Sequence, residues 1–499
     1  MPTQDRYTFY SPQKQKLIKS LLFFALGSIC SWLIELPYGG WFLIVGLAIF
    51  FRAIFSDSHP FRSSWIFSLG YFCNSLWWIF VSLHDIGGLP AALSIFAVMV
   101  LSAYLGLFYA GAVKLSHLYQ SNTIRIIGIA CSWVIFEWLR GQLFTGFPWA
   151  GFAESQVDGP FFAWAPILGG LACTWLCVAL AAYLSIGKNN LFTKIVASIA
   201  VISSSHAIGL VSFTQPIGRP IDLSLIQGNF AQTTKFDPAS INQQIEYYYD
   251  AIKKSKSSLI IAPETAIPVQ PTRFDPLFEN LKPKSSSQNI ILGTIGVGPN
   301  GQLSNAAMGL KSKGENYQYD KSHLVPFGEF VPWGAQWFVD LFKVPLGNFY
   351  RGPDKQAPFV INQGIDEIAV GVLICYEDVF GDELAARQRN SAIEHHLWVN
   401  LTNLAWFGDS QAAEQQLRLA RLRSIETGIP TLRATNTGIT SVIDHQGQVL
   451  RQLPKFQQGI LKAEIQAYSG KTPYVWLGDI PILMICSLFL IMAWRKNKK

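Results

Sequence analysis

Seven apolar runs fill the first 212 residues, at roughly 17–35, 39–56, 63–82, 90–113, 124–139, 163–186 and 192–212, and an eighth extends from about 474 to 494. Helices of about 20 apolar residues match the ~30 Å hydrocarbon core of a bilayer, where every backbone polar group must be satisfied internally. These segments are therefore expected to be helices that cross a membrane, with the short run at 124–139 leaning on its neighbours. Half of the 499 residues are hydrophobic and only 14% are charged, a balance too apolar for a soluble enzyme of this length. The expected organisation is a seven-span membrane domain over residues 1–212, a polar extracytoplasmic domain over 213–472, and a last span with a basic tail over 473–499.

Lysine and arginine placement orients the spans, because cytoplasmic loops retain basic residues. Lys14, Lys16 and Lys19 precede the first run, Arg52 and Arg62 lie in the second loop, Lys114 and Arg125 in the fourth, and Lys188 and Lys194 in the sixth. The intervening loops contain no Lys or Arg until Arg140, and the tail Arg495-Lys496-Asn497-Lys498-Lys499 is basic again. This alternation puts both termini in the cytoplasm and the polar domain outside. Between Arg219 and Asp479 there are 24 basic and 25 acidic residues, against 15 and 7 elsewhere, so the excess positive charge follows the membrane loops. It does not describe a nucleic-acid-binding face. The first run has the basic flank of a signal peptide but no small-residue cleavage site behind it, so it reads as a retained span.

Within the polar domain, β-rich runs at 221–226, 258–262, 289–296, 303–310, 366–375, 396–401, 430–435 and 439–443 alternate with helical stretches at about 239–256, 380–390 and 412–427. That is an α/β pattern of sheets covered by helices, which collects active groups at strand ends. Gly293-Thr294-Ile295-Gly296-Val297-Gly298 does not open a helix, which argues against a dinucleotide site, and no His/Cys cluster has metal-ligand spacing. Six of the seven cysteines lie in the apolar runs; Cys173 and Cys177, one helical turn apart, read as packing residues. Cys375 alone is in the polar domain, at the end of an apolar strand in Leu373-Ile374-Cys375-Tyr376-Glu377-Asp378. Glu264 stands at another strand end in Ile260-Ile261-Ala262-Pro263-Glu264-Thr265, and Lys321 precedes a Pro/Gly loop. A thiol, a carboxylate and an ammonium together are equipped for acyl chemistry.

The order Glu264, Lys321, Cys375 resembles the Glu-Lys-Cys triad of the nitrilase superfamily. The carrying strings are Tyr319-Asp320-Lys321-Ser322-His323-Leu324-Val325-Pro326-Phe327-Gly328-Glu329, Ile374-Cys375-Tyr376-Glu377 and Ala405-Trp406-Phe407-Gly408-Asp409-Ser410, with Gly146-Phe147-Pro148-Trp149 in the membrane part. With its flanking apolar runs, the whole chain is similar to the bacterial apolipoprotein N-acyltransferases. The resemblance implies a multi-pass base of eight transmembrane helices in the bacterial cytoplasmic (inner) membrane, carrying an α/β nitrilase-like domain of stacked sheets sandwiched by helices. It implies acyl transfer from a phospholipid, typically the first glycerol position of phosphatidylethanolamine, to the α-amino group of a diacylglyceryl-cysteine apolipoprotein, through a Cys thioester. A monomer without cofactor or metal suffices for that chemistry.

On that resemblance Cys375 is the nucleophile, Glu264 the base and Lys321 the oxyanion donor. Glu329 and Glu377 match positions that surround the triad, where they orient Lys321, shuttle protons or serve as structural salt-bridge partners, and Tyr376 and Asn305 match positions that shape or hydrogen-bond the site. Trp149, Phe236, Trp406 and Phe407 are the expected acyl-chain and lipid contacts, the loop 141–162 being the expected lipid entrance. Phe236 stands where the family often has tryptophan, and Gln416 where some members carry histidine. Glu137 and Arg140, at the outer end of the fifth run, are placed to meet a lipid headgroup or each other. Two other functions share these features: a membrane-anchored nitrilase-like amidase that passes the acyl group to water, and a non-catalytic binding module on a membrane platform.

Overall fold

A computed structural model of the protein describes residues 11–119, 121–186, 190–232, 238–271, 275–334, 336, 348–363 and 366–497. The membrane part is helical from its first described turn, where Ser11 Oγ accepts from Lys14 N at 3.4 Å and Pro12 opens α1 (Pro12–Ile34) with a pre-set φ. There follow α2 (Gly39–Ile54), α3 (Pro60–Ser75), α4 (Ala91–Ser116), α5 (Asn122–Gln142), α6 (Gly170–Ser185) and α7 (Leu191–Ile208). Large apolar side chains point outward along these helices, including Leu21, Leu22 and Ile29 on α1, Val45 and Ile49 on α2, Phe96 and Val100 on α4, and Ile195 and Ile199 on α7. An apolar exterior of this extent requires lipid as its solvent.

Span by span, the helices are less uniform than the hydropathy runs. Among the described residues, Gln13–Ile34, Ala91–Ser116, Asn122–Thr145 and Leu191–Ile208 are long and apolar enough to cross a membrane; Pro60–Ser75 with Trp78–Ile86 makes a fifth if that pair, bent by 52°, is one span. The expected count of eight is thus reached only in part, for a local reason. The third run is broken after Ser75, and the sixth is split at Gly169 (φ 77°), which leaves the 16-residue α6; α2 is also 16 residues. Sixteen residues rise about 24 Å, short of the hydrocarbon thickness.

The polar domain is two six-stranded sheets. In chain order the strands are β1 (Gln215–Gln227), β2 (Leu259–Ile261), β3 (Asn289–Val297), β4 (Leu303–Lys311), β5 (Tyr317–Asp320), β6 (Phe359–Gln363), β7 (Asp366–Ile374), β8 (Leu397–Thr402), β9 (Thr431–Thr435), β10 (Ser441–Ile443), β11 (Val449–Gln452) and β12 (Gly459–Ser469). One sheet has the order β12-β1-β2-β3-β4-β5 and the other β11-β10-β9-β8-β7-β6. Each centre is parallel, β1-β2-β3 and β7-β8-β9, and is mostly apolar where it is buried, with polar residues such as Ser224, Asn400 and Arg433 among the apolar ones. Inner faces meet through Leu223, Leu225, Ile261 and Ile291 of one sheet and Val370, Val372, Val399, Leu401 and Leu432 of the other. Outside, α8 (Pro238–Lys254) covers the first sheet with Tyr248, Ala251 and Ile252. The second is covered through Leu384 of α9 (Gly381–Asn390) and by α10 (Ala412–Thr427).

All eight expected strands and all three expected helices of this domain are present; β5, β6, β11 and β12 are additional. Helix α10 also joins the two halves of the molecule. Its Leu419, Leu422 and Ile425 belong to the same buried cluster as Trp149, Phe152 and Cys173 of the membrane part and as Tyr376 and Phe380 beside the nucleophile. Near the end of the chain, α11 (Ile480–Asn497) packs Ile482 and Cys486 against Cys131 and Val134 of α5 and Ala172 of α6.

Candidate active site

Glu264, Lys321 and Cys375 follow β2 and β5 of one sheet and β7 of the other, so pairing within the first sheet and stacking of the two bring together three residues far apart in the chain. Lys321 Nζ is buried, 3.9 Å from Glu264 Oε1 and 2.9 Å from Glu329 Oε2. Asn305, on β4, donates through Nδ2 to Glu264 Oε1 and to Glu329 Oε1, both at 2.7 Å, and so bridges the two carboxylates. The second oxygen of Glu264 accepts from the backbone N–H of Asn403 at 2.8 Å, just past β8, and that of Glu329 accepts from Val325 N at 2.8 Å. Glu264 is therefore fixed from both sheets.

The nucleophile sits on a strained turn. Cys375 has φ 53°, in the left-handed region, and it begins a 3₁₀ turn directly after β7. A non-glycine residue there costs on the order of 1–3 kcal/mol and persists only when its surroundings enforce it. Asn400 supplies that enforcement from β8: its Oδ1 accepts from Cys375 N at 3.1 Å while its Nδ2 donates to Cys375 O at 3.2 Å. Gln416 Nε2 of α10 donates to the same carbonyl at 3.0 Å. Thr265, after Glu264, is also left-handed (φ 52°). That turn presses on Gly293, where a Cβ would stand 2.4 Å from Thr265 N and 2.6 Å from Glu264 Cα. The first glycine of the Gly293–Gly298 string is thus a seat for the base.

Electrostatics divide the roles. Burial and the Glu264 carboxylate push the Cys375 thiol well above its ordinary value, and Lys321 only partly opposes them. Burial alone would make Lys321 easier to deprotonate, but the Glu329 and Glu264 carboxylates outweigh it and keep the ammonium charged. The resting pair is a thiol beside a cation, so the thiol needs a base before it can attack.

Glu377 stands apart from the ammonium. Its carboxylate accepts from Ile374 N at 2.7 Å, Ser322 N at 2.9 Å and Tyr319 Oη at 2.9 Å, and pairs with Arg387 at 2.9 Å. Burial would raise this carboxyl, yet the Arg387 charge and those donors hold it down at about 2. It ties the Lys321 loop to the Cys375 turn and acts on both through their backbones.

Tyr376, next to the nucleophile, is buried, and among the described residues its hydroxyl has no hydrogen-bond partner. Its ring stacks with Trp149 at 6.3 Å and 14°; Trp149 lies 5.1 Å from Trp78, and Trp78 lies 4.6 Å from Phe407. A continuous aromatic wall thus leads from the nucleophile's turn into the membrane part. Trp406 is 41% exposed on the same 3₁₀ turn as Phe407. Phe236 lies outside the described residues. Arg140 is not free for a headgroup: it is fully buried, and its guanidinium donates to the carbonyls of Phe147 and Trp149, both at 2.7 Å, and of Pro148 at 3.2 Å. It holds the loop that presents Trp149. Glu137 accepts from Phe152 N of that loop at 3.3 Å.

Sequence reading overlooked Asn400, Asn403 and Trp78. Asn400 carried a signal, an amide inside the apolar strand Leu397-Trp398-Val399-Asn400-Leu401, whereas Trp78 was concealed inside an apolar run.

Comparison with known proteins agrees with this division. Residues 27–183 match the model of the apolipoprotein N-acyltransferase N-terminal domain, and residues 223–474 match the carbon-nitrogen hydrolase model. The chain is 35% identical to the apolipoprotein N-acyltransferase of Ralstonia nicotianae over 87% of its own length and 84% of that protein. It is also 35% identical to that of Haemophilus ducreyi, over 97% and 98%, and 33% identical to that of Bordetella bronchiseptica, over 87% of each. With both halves matched in order and nearly full-length relatives above 30% identity, the chain belongs to the apolipoprotein N-acyltransferase family.

Proposed function

We propose that this protein N-acylates the α-amino group of a diacylglyceryl-cysteine on apolipoproteins, with a phospholipid, phosphatidylethanolamine in the first instance, as acyl donor and Cys375 as the acyl carrier. The observation that carries this reading is the aromatic wall: the residue after the nucleophile stacks on Trp149 of the membrane part, so the thiol borders a lipid-facing base. Lipid substrates gain about 0.8 kcal/mol for each CH₂ kept in the bilayer, which favours bringing the thiol to the lipid.

The arrangement of Glu264, Lys321 and Cys375 supports the following steps. Glu264 takes the Cys375 proton, and the thiolate attacks the donor's ester carbonyl. Lys321, preorganised by Glu329, stabilises the oxyanion; loss of one such donor typically costs about 3–4 kcal/mol of barrier. Collapse breaks the C–O ester bond, Glu264 returns the proton to the departing lysophospholipid, and a thioester remains. The lipoprotein amine then attacks that carbonyl and gives a proton to Glu264. The C–S bond breaks, and Glu264 reprotonates the thiolate to restore Cys375. Glu329, Asn305 and Glu377 position these groups, while Trp149, Trp406 and Phe407 line the lipid side.

The reading extends to topology. Eight helices cross the inner membrane, both termini are cytoplasmic, and residues 213–472 face the extracytoplasmic side as a monomer; the alternating basic loops support this.

Intact-mass analysis of the purified protein incubated with phosphatidylethanolamine, alongside Cys375→Ala, tests the chemistry. The expected result is a one-acyl adduct on wild type alone, labile to neutral hydroxylamine and transferred to a diacylglyceryl-cysteine peptide. Release of the acyl group as free acid despite that peptide would make the protein an amidase-like hydrolase. An unacylated peptide and no adduct would favour a binding module.

A further inference from the structure

Gln415, on the face of α10 turned toward the membrane part, makes contacts that neither half of the molecule makes alone. Its Oε1 accepts from both indoles of the aromatic wall, Trp149 Nε1 at 2.7 Å and Trp78 Nε1 at 3.1 Å. Its Nε2 donates to Glu35 Oε1, beyond α1, and to Ser75 O, both at 3.1 Å. Ser75 is the last residue of α3, where the helix breaks and leaves carbonyls without partners in their own helix. Gln411, the N-cap of α10, donates to Asn74 O and Ser75 O at 2.6 and 2.8 Å, so the break is capped from the catalytic domain. Gln416, the residue after Gln415, holds the carbonyl of Cys375. Two consecutive amides on one helix therefore register the nucleophile and the aromatic wall against each other.

We propose that Gln415 is a positioning residue that sets the distance between the Trp149–Trp78 wall and the Cys375 turn, and thereby the affinity for the acyl donor and the preference for chain length. An indole turned about its bonds has apolar packing available in several orientations, but only one places its N–H on a fixed oxygen. Two indole N–H groups sharing one oxygen fix both rings relative to α10, and α10 is itself fixed to the nucleophile through Gln416. Gln415 acts through Trp149 and touches no reacting atom.

This inference rests on the reading that Cys375 carries the acyl group, and one experiment separates the two. The rate of adduct formation on Cys375 is measured by intact mass against phosphatidylethanolamine concentration, with donors of short and long acyl chains. Wild type is compared with Gln415→Met, Trp149→Phe and the double variant. Gln415→Met is expected to raise the half-saturating donor concentration about tenfold, the scale of one lost buried hydrogen bond. Its saturating rate should stay within about threefold of wild type, and its discrimination between chain lengths should flatten. In the Trp149→Phe background, which already lacks one of the two indole N–H groups, the added effect of Gln415→Met should be clearly smaller than in wild type, since only the Trp78 bond to that oxygen is left to lose. Equal half-saturation and chain-length profiles in wild type and Gln415→Met would overturn the inference, as would fully additive effects. Absence of adduct on wild type would instead refute the carrier role of Cys375. If Gln415→Met fails to fold, Trp78→Phe and Trp149→Phe, each removing one N–H from the same oxygen, should both weaken donor binding; an unchanged half-saturation in Trp78→Phe would then count against the proposal.

Discussion

Cys375 and Glu264 each depend on a neighbour that performs no chemistry. Gly293 is the clearer case, because the backbone of the Glu264 turn occupies the space a Cβ would need. Gly293→Ala should displace Glu264 and slow acylation of Cys375 by about a hundredfold, the usual penalty for misplacing a reacting group by about 1 Å. Single-turnover acylation of the folded variant checks this. Glu377 leads to a pH dependence. Its carboxyl is held at about 2 in the folded protein, against an ordinary 4.5, so the folded state binds fewer protons than the unfolded state between those values. Its contribution, roughly 3 kcal/mol, is present above pH 4.5 and lost as pH falls toward 2. Thermal unfolding in detergent should therefore show a steeper loss across that window for wild type than for Glu377→Gln. The variant should also be less stable at neutral pH, since the buried Arg387 then keeps only the looser carboxylate pairing with Glu383 at 3.8 Å.

At the scale of elements, α10 is the helix on which the two halves depend. Besides its glutamines, Arg418 pairs with Glu35 at 2.8 Å and Arg421 pairs with Asp158 at 2.7 Å. The two pairs should differ in worth. Asp158 is 41% exposed, and its pair is solvated, so Asp158→Ala should cost less than about 1 kcal/mol. Glu35 also accepts from Gln415, and Glu35→Ala leaves Arg418 without its carboxylate and removes one of the two acceptors of the Gln415 amide, so its melting temperature should fall clearly further. Strands in this domain were legible where short apolar runs such as Leu259-Ile260-Ile261 and Ile368-Ala369-Val370 mark them. The missed β5 and β11 are only four residues long, and β12 has apolar and polar residues in alternation because one of its faces is open to solvent.

For the whole molecule, the alternation of basic loops makes a topological prediction. A cysteine introduced at Ser285, in the polar connection 282–287, should react with a membrane-impermeant maleimide on intact spheroplasts, whereas one at Lys496 should react only after permeabilisation. Labelling of both without permeabilisation would contradict the cytoplasmic placement of the C-terminal tail. The number of crossings was less legible than their existence. Hydropathy averages over a break, so it counted the third run as one span although the helix bends by 52° within it.

The separation of apolar from polar parts, the α/β class of the latter and the chemical types at three strand ends could be read from the chain alone. Each of these is written in local pattern: apolar length, apolar period, and the residue where a strand stops. Only the tertiary structure decided that Asn305 and Asn403 share Glu264, that Asn400 and Gln416 hold a left-handed Cys375, and that Gln415 joins two tryptophans to the catalytic domain. Those contacts join residues far apart in the chain, up to 337 positions for Trp78 and Gln415. Strand pairing and helix docking set which of them meet, and no local periodicity encodes that choice.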